Sequence, residues 1–245
     1  MGFAVLLKCF QFNARFPTSR RSVPKPVVGY LAQQLRISPK CFREYDWSGR
    51  TIERHRAKIL AHYNFQESTL ADMDRLKEWL CDKVLAFEYQ EAQVMEAAYD
   101  YLRSAKLEPP TLARLKRVVR SAIRDTEKAF CESTTQQLSA HTCKKLDALL
   151  DTERADGKGD AQFKQSAFNF LKTDPGRISL KSLLTEIEKL KAIRNLGLPP
   201  ELFSTVPPTI TAHYRRRASV ETPRELRRHP KAIRYTLVAA SRRQP

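Results

Sequence analysis

A basic face on one predicted helix carries the clearest chemistry in this sequence. Placed at 100° per residue, Arg50, Arg54 and Lys58 fall on one stripe of that helix, with Thr51 and His55 beside it. Guanidinium groups bind phosphates and read guanine edges through paired hydrogen bonds, while a Lys ammonium binds phosphates as a point charge. The spacing therefore favours contact with an acidic polymer. A solvated surface helix shows the same pattern, so other parts of the chain must decide between the two interpretations.

The elements around this basic face are predicted to be helical. Ile52, Ile59 and Leu60 gather opposite the cations, Ser48 is the predicted N-cap, and Trp47 before it is predicted to be a hydrophobic staple or core anchor. Apolar spacing predicts a helix over 2–12, and prolines near their starts predict two more, over 27–35 and 39–44. An apolar back and a cationic front are what the recognition helix of a helix-turn-helix requires.

A second predicted helix, over 111–131, has the same division with more cations. Its apolar half includes Leu115 and Val119, and Thr111 is its predicted cap. The cations on the other half are Arg114, Lys116, Arg117, Arg120, Arg124 and Lys128. Asp125 and Glu127 are the acids nearby, so pairing along the helix does not account for six cations. A third basic group, Arg215, Arg216 and Arg217, is predicted to contact phosphates.

The net charge of +17 is concentrated at the two ends of the chain. Residues 1–65 hold 12 basic and 3 acidic side chains, residues 66–210 hold 22 of each, and residues 211–245 hold 10 and 2. A surface that served only solubility would mix both signs throughout, whereas this distribution indicates a polyanionic partner. Nucleic acid is the first candidate and an anionic membrane surface the second. No apolar run approaches the roughly eighteen residues of a membrane-spanning helix, so we expect no membrane partner.

Catalytic and metal-binding patterns are missing from the sequence. The five cysteines are scattered without a C-x-x-C pair, which indicates reduced thiols and a cytoplasmic protein, and Cys131, His141 and Cys143 match no usual zinc spacing. There is no Gly-rich phosphate loop, nucleophile-and-base arrangement or carboxylate cluster. Tyr214 beside three arginines is a weak match to a recombinase nucleophile. We therefore expect no metal, no cofactor and no small-molecule substrate.

The predicted fold is all-α, built from tandem small helix-turn-helix-like modules followed by a helical linker or scaffold segment. Residues 1–65 form the first predicted DNA-binding module and residues 66–150 the second. A polar hinge is predicted over 151–162, and 163–245 are predicted to begin a scaffold with a basic C-terminal end. A helix over 180–196 carries an apolar seam, which is typical of a core or of a contact with another domain.

Several motifs resemble the N-terminal region of the Tn-three family of replicative, class II transposases. The most specific of these motifs is Tyr45-Asp-Trp-Ser-Gly-Arg-Thr. Others are Glu108-Pro-Pro-Thr, Asp174-Pro-Gly, Leu196-Gly-Leu-Pro and Glu225-Leu-Arg-Arg-His-Pro. The resemblance covers nearly the whole chain in collinear order. It implies helical domains that bind the terminal inverted repeats of a transposon, upstream of an RNase H-like domain with a metal-dependent Asp/Asp/Glu triad.

The resemblance also sets the functional expectation. We expect sequence-specific binding to double-stranded DNA at transposon ends, in the bacterial cytoplasm and associated with the nucleoid. Family members are several times longer, so this chain is expected to stop before the catalytic domain and not to be an enzyme. Two alternatives stay open: a non-catalytic helical interaction protein that pairs with full-length transposase, and a general nucleic-acid-binding protein. The repeat that is bound, the base that each Arg reads, the oligomeric state and the choice between a functional short product and a truncated remnant are equally open.

Overall fold

The computed structural model describes residues 1–151 and 166–241. Helices make up 70% of the structure, which confirms the predicted all-α class. Two strands of two residues each, β1 (Gln66–Glu67) and β2 (Leu107–Glu108), form one parallel pair. The sequence did not predict them, because a two-residue strand has no readable alternation.

The chain folds into two compact units. The first contains Met1–Leu80 and Glu91–Ser121, and the second contains Cys81–Gln90 and Ala122–Pro245. The helices that begin in the first unit are α1 (Gly2–Asn13), α2 (Lys25–Leu35), α3 (Lys40–Arg43), α4 (Arg50–Tyr63), α5 (Leu70–Trp79), α6 (Glu91–Ser104) and α7 (Leu112–Gln136). The second unit contains the end of α7 and then α8 (Ala140–Leu149), α9 (Ala167–Lys172), α10 (Leu180–Asn195), α11 (Pro208–Val220), α12 (Pro223–Arg228) and α13 (Lys231–Ala240). The predicted division into modules remains a prediction, and the predicted hinge lies almost entirely outside the described residues.

In the first unit, α4 packs its apolar back on α1. Leu6 and Phe10 of α1 and Ile52 and Ile59 of α4 belong to one cluster, and each is at most 4% exposed. The ring of Phe65, just after α4, meets Phe10 edge-on with centroids 5.0 Å apart. Full burial of one such side chain contributes about 1.5–3 kcal/mol, so this cluster fixes the position of α4 on its neighbour.

The start of α4 differs from the prediction by one residue. Gly49 is the N-cap, and no side chain caps the helix there. The Ser48 hydroxyl donates instead to Asp46 Oδ1 at 3.1 Å, and the Ser48 N–H donates to the same atom at 2.9 Å. The prediction of Ser48 as N-cap was wrong because Asp46 closes its own turn first, which draws the hydroxyl away from the helix.

The helical segment after α4 consists of α5 and a different kind of turn at its end. Thr69 caps α5 by accepting from the Asp72 N–H, and the Asp72 carboxylate accepts in return from the Thr69 N–H at 2.8 Å. Five residues, Leu80–Val84, then follow as a π-helical turn. Leu70 is 75% exposed. It stands at the first position of α5, one residue beyond the cap.

The core of the second unit lies between α11 and α13. Tyr214 of α11 is fully buried, as are Leu237 and Val238 of α13. The Tyr214 ring packs nearly parallel to Phe130, with centroids 5.0 Å apart, and its hydroxyl accepts a weak hydrogen bond from Cys131 Sγ at 3.9 Å. Tyr214 is therefore a structural core residue and is not exposed to any substrate.

Helix α10 ends as its sequence predicts, but its seam is not in the core. Gly197 follows the C-cap residue with φ +68°, a left-handed conformation that glycine adopts without a steric penalty. Leu183 and Leu190 of the predicted seam are 59% and 47% exposed in the part of the chain that the structure describes. The core interpretation of this seam was therefore wrong within those residues.

Candidate nucleic-acid interface

The solvent-facing side of α4 carries the cations that its sequence predicts. Arg50, Thr51, Arg54 and Lys58 are all exposed. Among the described residues, none of these three cations takes part in an ion pair. A shallow open groove runs along this side, lined by Arg50, Thr51, Glu53, Arg54, Ala57 and Glu67. The face thus presents unpaired positive charge on a helix whose other side is rigidly packed.

A short ordered turn sets the angle at which α4 begins. Hydrogen bonds from Ser48 lower the pKa of the Asp46 carboxyl, which therefore stays ionised and keeps the turn closed. Trp47 lies edge-on to Phe42 and to Tyr45, with centroids 5.7 and 5.9 Å away. It packs against the apolar clusters on both sides of α1, which confirms its prediction as a core anchor.

His55 lies at the border of the cationic side and points toward the core. Its ring stacks on Tyr45 and is only partly exposed. Burial, followed by the neighbouring charges of Arg54 and Lys58, lowers the pKa of His55. The imidazole is therefore neutral near pH 7, and the structure brings Arg50, Arg54 and Lys58 together without making His55 a fourth cation. Its role as a DNA contact remains a prediction.

Not every cation of α4 belongs to the exposed face. The guanidinium of Arg56 lies over the Phe16 ring, 5.3 Å from its centroid, and donates to the Pro17 carbonyl at 3.4 Å. Such a contact is worth about 0.5–1 kcal/mol or more when it is shielded from water. Arg56 is therefore a packing residue, in agreement with its place off the stripe of Arg50, Arg54 and Lys58.

In the first unit, α7 presents a cationic side that is partly neutralised. Leu115 and Val119 are fully buried, and the Arg114 N–H donates to Thr111 Oγ1 at 3.4 Å, which confirms Thr111 as the cap. Arg117 and Arg120 are exposed, whereas Arg114 and Lys116 are partly exposed. Arg120 Nε donates to Glu91 Oε1 of α6 at 3.0 Å.

Sequence reasoning missed this partner of Arg120. Glu91 is 29 residues away in the chain, and it comes close because α6 and the start of α7 fold into the same unit. Spacing along one helix cannot reveal such a pair. The pair is substantially exposed, with side chains 64% and 39% accessible, so it holds Arg120 weakly.

The cations at the later part of α7 lie next to acids of their own helix. Arg124 Nε is 3.6 Å from Asp125 Oδ1, and Lys128 Nζ is 3.9 Å from Glu132 Oε1. All four side chains are more than 40% exposed, so water screens both pairs. These cations remain accessible to an anionic partner, although each would have to leave a carboxylate.

The three consecutive arginines of α11 have three different environments. Arg217 lies between two carboxylates: its Nε donates to Glu221 at 2.8 Å and its second nitrogen pairs with Glu127. Hydrogen bonds and charge from these acids outweigh burial and raise the pKa of Arg217. Arg215 Nε donates to the Ala240 carbonyl at 3.2 Å, and Arg216 is exposed. Arg216 therefore lies at the surface, whereas Arg217 connects α11 to α7 through its ion pair with Glu127.

Within residues 1–151 and 166–241, no three His, Cys, Asp or Glu side chains converge as metal ligands. No helix of these residues is both long and apolar enough to span a bilayer. Burial strongly raises the pKa of the Tyr214 hydroxyl, and Cys131, Tyr89 and Glu127 raise it further. The side chain is fully buried and cannot reach a substrate, which contradicts the nucleophile interpretation.

Known proteins match most of the chain. Residues 1–122 match the family described as "Domain of unknown function (DUF4158)". The transposase for transposon Tn1546 from Enterococcus faecium is 26% identical over 199 residues, which cover 81% of this chain and 19% of the relative. The transposases for transposons Tn3926 and Tn21, both from Escherichia coli, are 26% and 25% identical and match 98% of this chain. Those matches cover 23% and 24% of the two relatives, so the chain spans a quarter or less of their length.

These matches are to transposases, which is the class of protein that most of the chain resembles. They support the resemblance to the Tn-three family that its Tyr-Asp-Trp-Ser-Gly-Arg-Thr motif predicts. That motif is residues 45–51, the turn before α4 and the first two residues of the helix. The most specific family signature is therefore the segment that orients the unpaired cationic face.

Proposed function

We propose that this chain binds double-stranded DNA in a sequence-specific manner at the terminal inverted repeats of a transposon, as the N-terminal part of a transposase. The observation that carries the proposal is the exposed side of α4, where Arg50, Arg54 and Lys58 have no acidic partner among the described residues. A cation without an internal partner binds phosphate without first breaking an ion pair. The relatives that support a role in transposition are themselves transposases.

The side chains of the groove suit both affinity and base reading. Arg50 and Arg54 are one helical turn apart and supply two planar donor forks, each suited to the O6 and N7 atoms of guanine. Lys58, one turn further, suits a phosphate. Glu53 lies between the arginines and lines the same groove. A carboxylate there is repelled by phosphates but accepts from the cytosine N4 amine, so it favours particular sequences over DNA in general.

A second DNA contact is assigned to α7. Arg114, Lys116 and Arg117 have no ion pair in the described ranges, whereas Arg120, Arg124 and Lys128 lie next to acids. The first three are expected to bind directly, and the others to exchange a carboxylate for a phosphate. Because a carboxylate has to be released first, these three cations contribute less to DNA affinity. Exposed Arg216 is assigned to a phosphate, and Arg215 contributes through whichever of its nitrogens does not bond to the Ala240 carbonyl.

The chemistry of strand cleavage is assigned elsewhere. The Asp/Asp/Glu triad and its divalent metal are proposed to belong to the part of the relatives that does not align with these 245 residues. The role of this chain is then recognition of DNA, and its expected location is the bacterial nucleoid. The interaction-protein alternative, with a full-length transposase as partner, is favoured by one observation, the exposed apolar side of α10.

Selection from a random-sequence DNA duplex library tests the proposal. The purified chain is expected to enrich one asymmetric sequence that matches the ends of the element encoding it. It should bind this duplex more tightly than a scrambled duplex of equal composition or an RNA duplex of the same sequence. With roughly six to ten phosphates engaged, affinity should fall by about 10³- to 10⁵-fold between 50 and 200 mM salt.

Three outcomes separate the parts of the proposal. Equal binding to the selected and scrambled duplexes overturns sequence specificity while leaving general DNA affinity. Equal binding to RNA supports the general nucleic-acid-binding alternative. Absence of binding to any duplex overturns the role of the α4 face altogether.

A further inference from the structure

Helix α10 is exposed along one apolar side. Leu180, Leu183, Ile187 and Leu190 are 73%, 59%, 37% and 47% exposed, and Leu184 beside them is 52% exposed. Single exposed leucines are ordinary on a protein surface, but five on one side of a 16-residue helix form a contiguous apolar patch. A patch of this kind marks an interaction surface. Its spacing and its flanking charges indicate which partner it suits.

The opposite side of α10 holds the helix on its own unit. Lys189 is buried, and its Nζ donates to the Thr173 carbonyl at 2.7 Å. Leu196 is buried just beyond the helix, and Lys145 Nζ donates to the Asn195 carbonyl. At 100° per residue, Lys189 and Leu196 lie about 160° around the helix from the centre of the apolar side. The apolar side therefore faces away from the surface on which α10 is anchored.

The apolar side follows a seven-residue repeat. Leu180 and Ile187 take a positions of the repeat, and Leu183 and Leu190 take d positions. The second heptad has Ile187 at a and Leu190 at d, the combination that favours a two-stranded parallel coiled coil. The next a position is Arg194, so the seam ends after two heptads, in the last turn before the anchored end of the helix.

The charges beside the seam fit a second copy of the same helix. Glu186 occupies the g position and Lys191 the e position five residues later. In a parallel pair, the g residue of one helix faces the following e residue of the other helix. Glu186 of each copy therefore lies opposite Lys191 of the other copy. Glu186 Oε1 also accepts from Lys189 of its own helix at 2.7 Å. An antiparallel copy would instead bring two Glu186 carboxylates together, which disfavours that arrangement.

We infer that α10 is a self-association surface on which a second copy of this chain docks in parallel and in register. Heptad spacing supplies the apolar contact, and the Glu186 and Lys191 pairs supply orientation. The association is weak and reversible, because two heptads are short for an isolated coiled coil. It stands independently of DNA binding, since none of these residues belongs to the proposed DNA-binding faces.

Sedimentation equilibrium of the 245-residue chain without DNA tests this inference. The wild-type chain is expected to equilibrate between monomer and dimer. The variant L183Q/L190Q should weaken the dimer by more than about tenfold. Ala192→Gln is the matched control, because Ala192 is exposed on α10 but lies off the seam. Far-UV circular dichroism should show equal helix content in all three proteins, since the replaced leucines are already solvent-exposed.

Disulfide trapping tests the orientation. With exposed Cys41 replaced by Ser, Leu183→Cys should form a covalent dimer on mild oxidation, since d positions of parallel copies face each other. Ala192→Cys in the same background should not. A wild-type chain that stays monomeric, an L183Q/L190Q variant that dimerises unchanged, or equal trapping at both positions overturns the inference. The inference is also overturned if the apolar side of α10 binds only anionic phospholipid vesicles or only full-length transposase.

Discussion

The hydroxyl of Tyr45 lies 2.8 Å from Nδ1 of His55, and the two rings stack with an interplanar angle of 7°. Phe3 meets the same imidazole edge-on, with ring centroids 5.1 Å apart. His55 thus connects α1 and the turn before α4 to the helix that carries the cationic face. Because its pKa is lowered from the ordinary 6.5, the ring is held neutral there.

We expect the first unit to become less stable as the pH falls below about 6.5. The folded state binds fewer protons than the unfolded state between the lowered pKa of His55 and 6.5. The free energy of unfolding therefore rises with pH across that window and is constant above it. Both tryptophans, Trp47 and Trp79, belong to the first unit, so urea unfolding followed by their fluorescence measures this unit.

The variant His55→Gln should lose much of that pH dependence between about pH 7.5 and about pH 5.5. His213, whose pKa is also lowered by burial, lies in the second unit, so His213→Gln is the matched control and should leave the tryptophan signal unchanged. An equally strong pH dependence in His55→Gln would show that another group is responsible.

The double variant R50Q/R54Q should lose DNA affinity and salt dependence together. Removing two phosphate or base contacts is expected to reduce the slope of log affinity against log salt by about 2 and to weaken binding by tenfold or more, at roughly 1–3 kcal/mol per contact. Fluorescence anisotropy with a labelled duplex at several salt concentrations measures both quantities. Arg103→Gln is the control, because Arg103 is also exposed in the first unit but pairs with Asp100. A similar loss in Arg103→Gln would indicate a non-local charge effect.

Glu91→Gln should increase DNA affinity. The substitution releases Arg120 from its carboxylate partner and removes a negative charge beside α7, and we expect a gain of about two- to fivefold at low salt. By the same reasoning, Arg117→Gln should weaken binding more than Arg120→Gln, since Arg120 has to leave Glu91 to bind. Anisotropy titrations of the three variants decide this, and an unchanged affinity in Glu91→Gln would remove α7 from the interface.

Substitutions at Arg217 and Arg216 should have different effects, the first on the stability of the protein and the second on its DNA affinity. Arg217→Met leaves Glu127 and Glu221 without their shared cation, so we expect a loss of about 2 kcal/mol in the free energy of unfolding. Arg216→Gln should not change stability and should slightly weaken DNA binding. Thermal unfolding by circular dichroism and titrations below the melting transition distinguish the two. Equal stability of both variants would contradict the structural role of Arg217.

Two glycine substitutions should have opposite effects. A Cβ at Gly2 would lie 2.2 Å from ring carbons of Tyr45, so Gly2→Ala is expected to destabilise the first unit by about 1–3 kcal/mol. A Cβ at Gly29, inside α2, meets nothing within 4 Å, so Gly29→Ala should stabilise it by about 0.5–1 kcal/mol through helix propensity. Urea unfolding followed by tryptophan fluorescence measures both. A neutral Gly2→Ala would show that Tyr45 shifts without cost.

Local patterns in the sequence were sufficient for the helices and less so for their boundaries. The apolar and cationic sides of α4 and α7 follow from the 3.6-residue period, and Thr111 as a cap follows from its side chain and position. The assignment of Ser48 failed because its hydroxyl can either accept from a backbone N–H at the start of α4 or donate to Asp46, and the bond to Asp46 forms. The local sequence does not show which of these two hydrogen bonds forms.

The sequence by itself determined the all-α class, the cationic side of α4 and the family motif in the turn before it, because each depends on residues within a few turns of one another. Tertiary structure alone decided which cations are free. Arg120 is paired with Glu91 and Arg217 with Glu127 because helices distant in sequence fold together, while Arg50, Arg54 and Lys58 form no ion pair among the described residues. Charge along a chain is a local property, whereas its neutralisation depends on which surfaces the fold brings within a few ångströms.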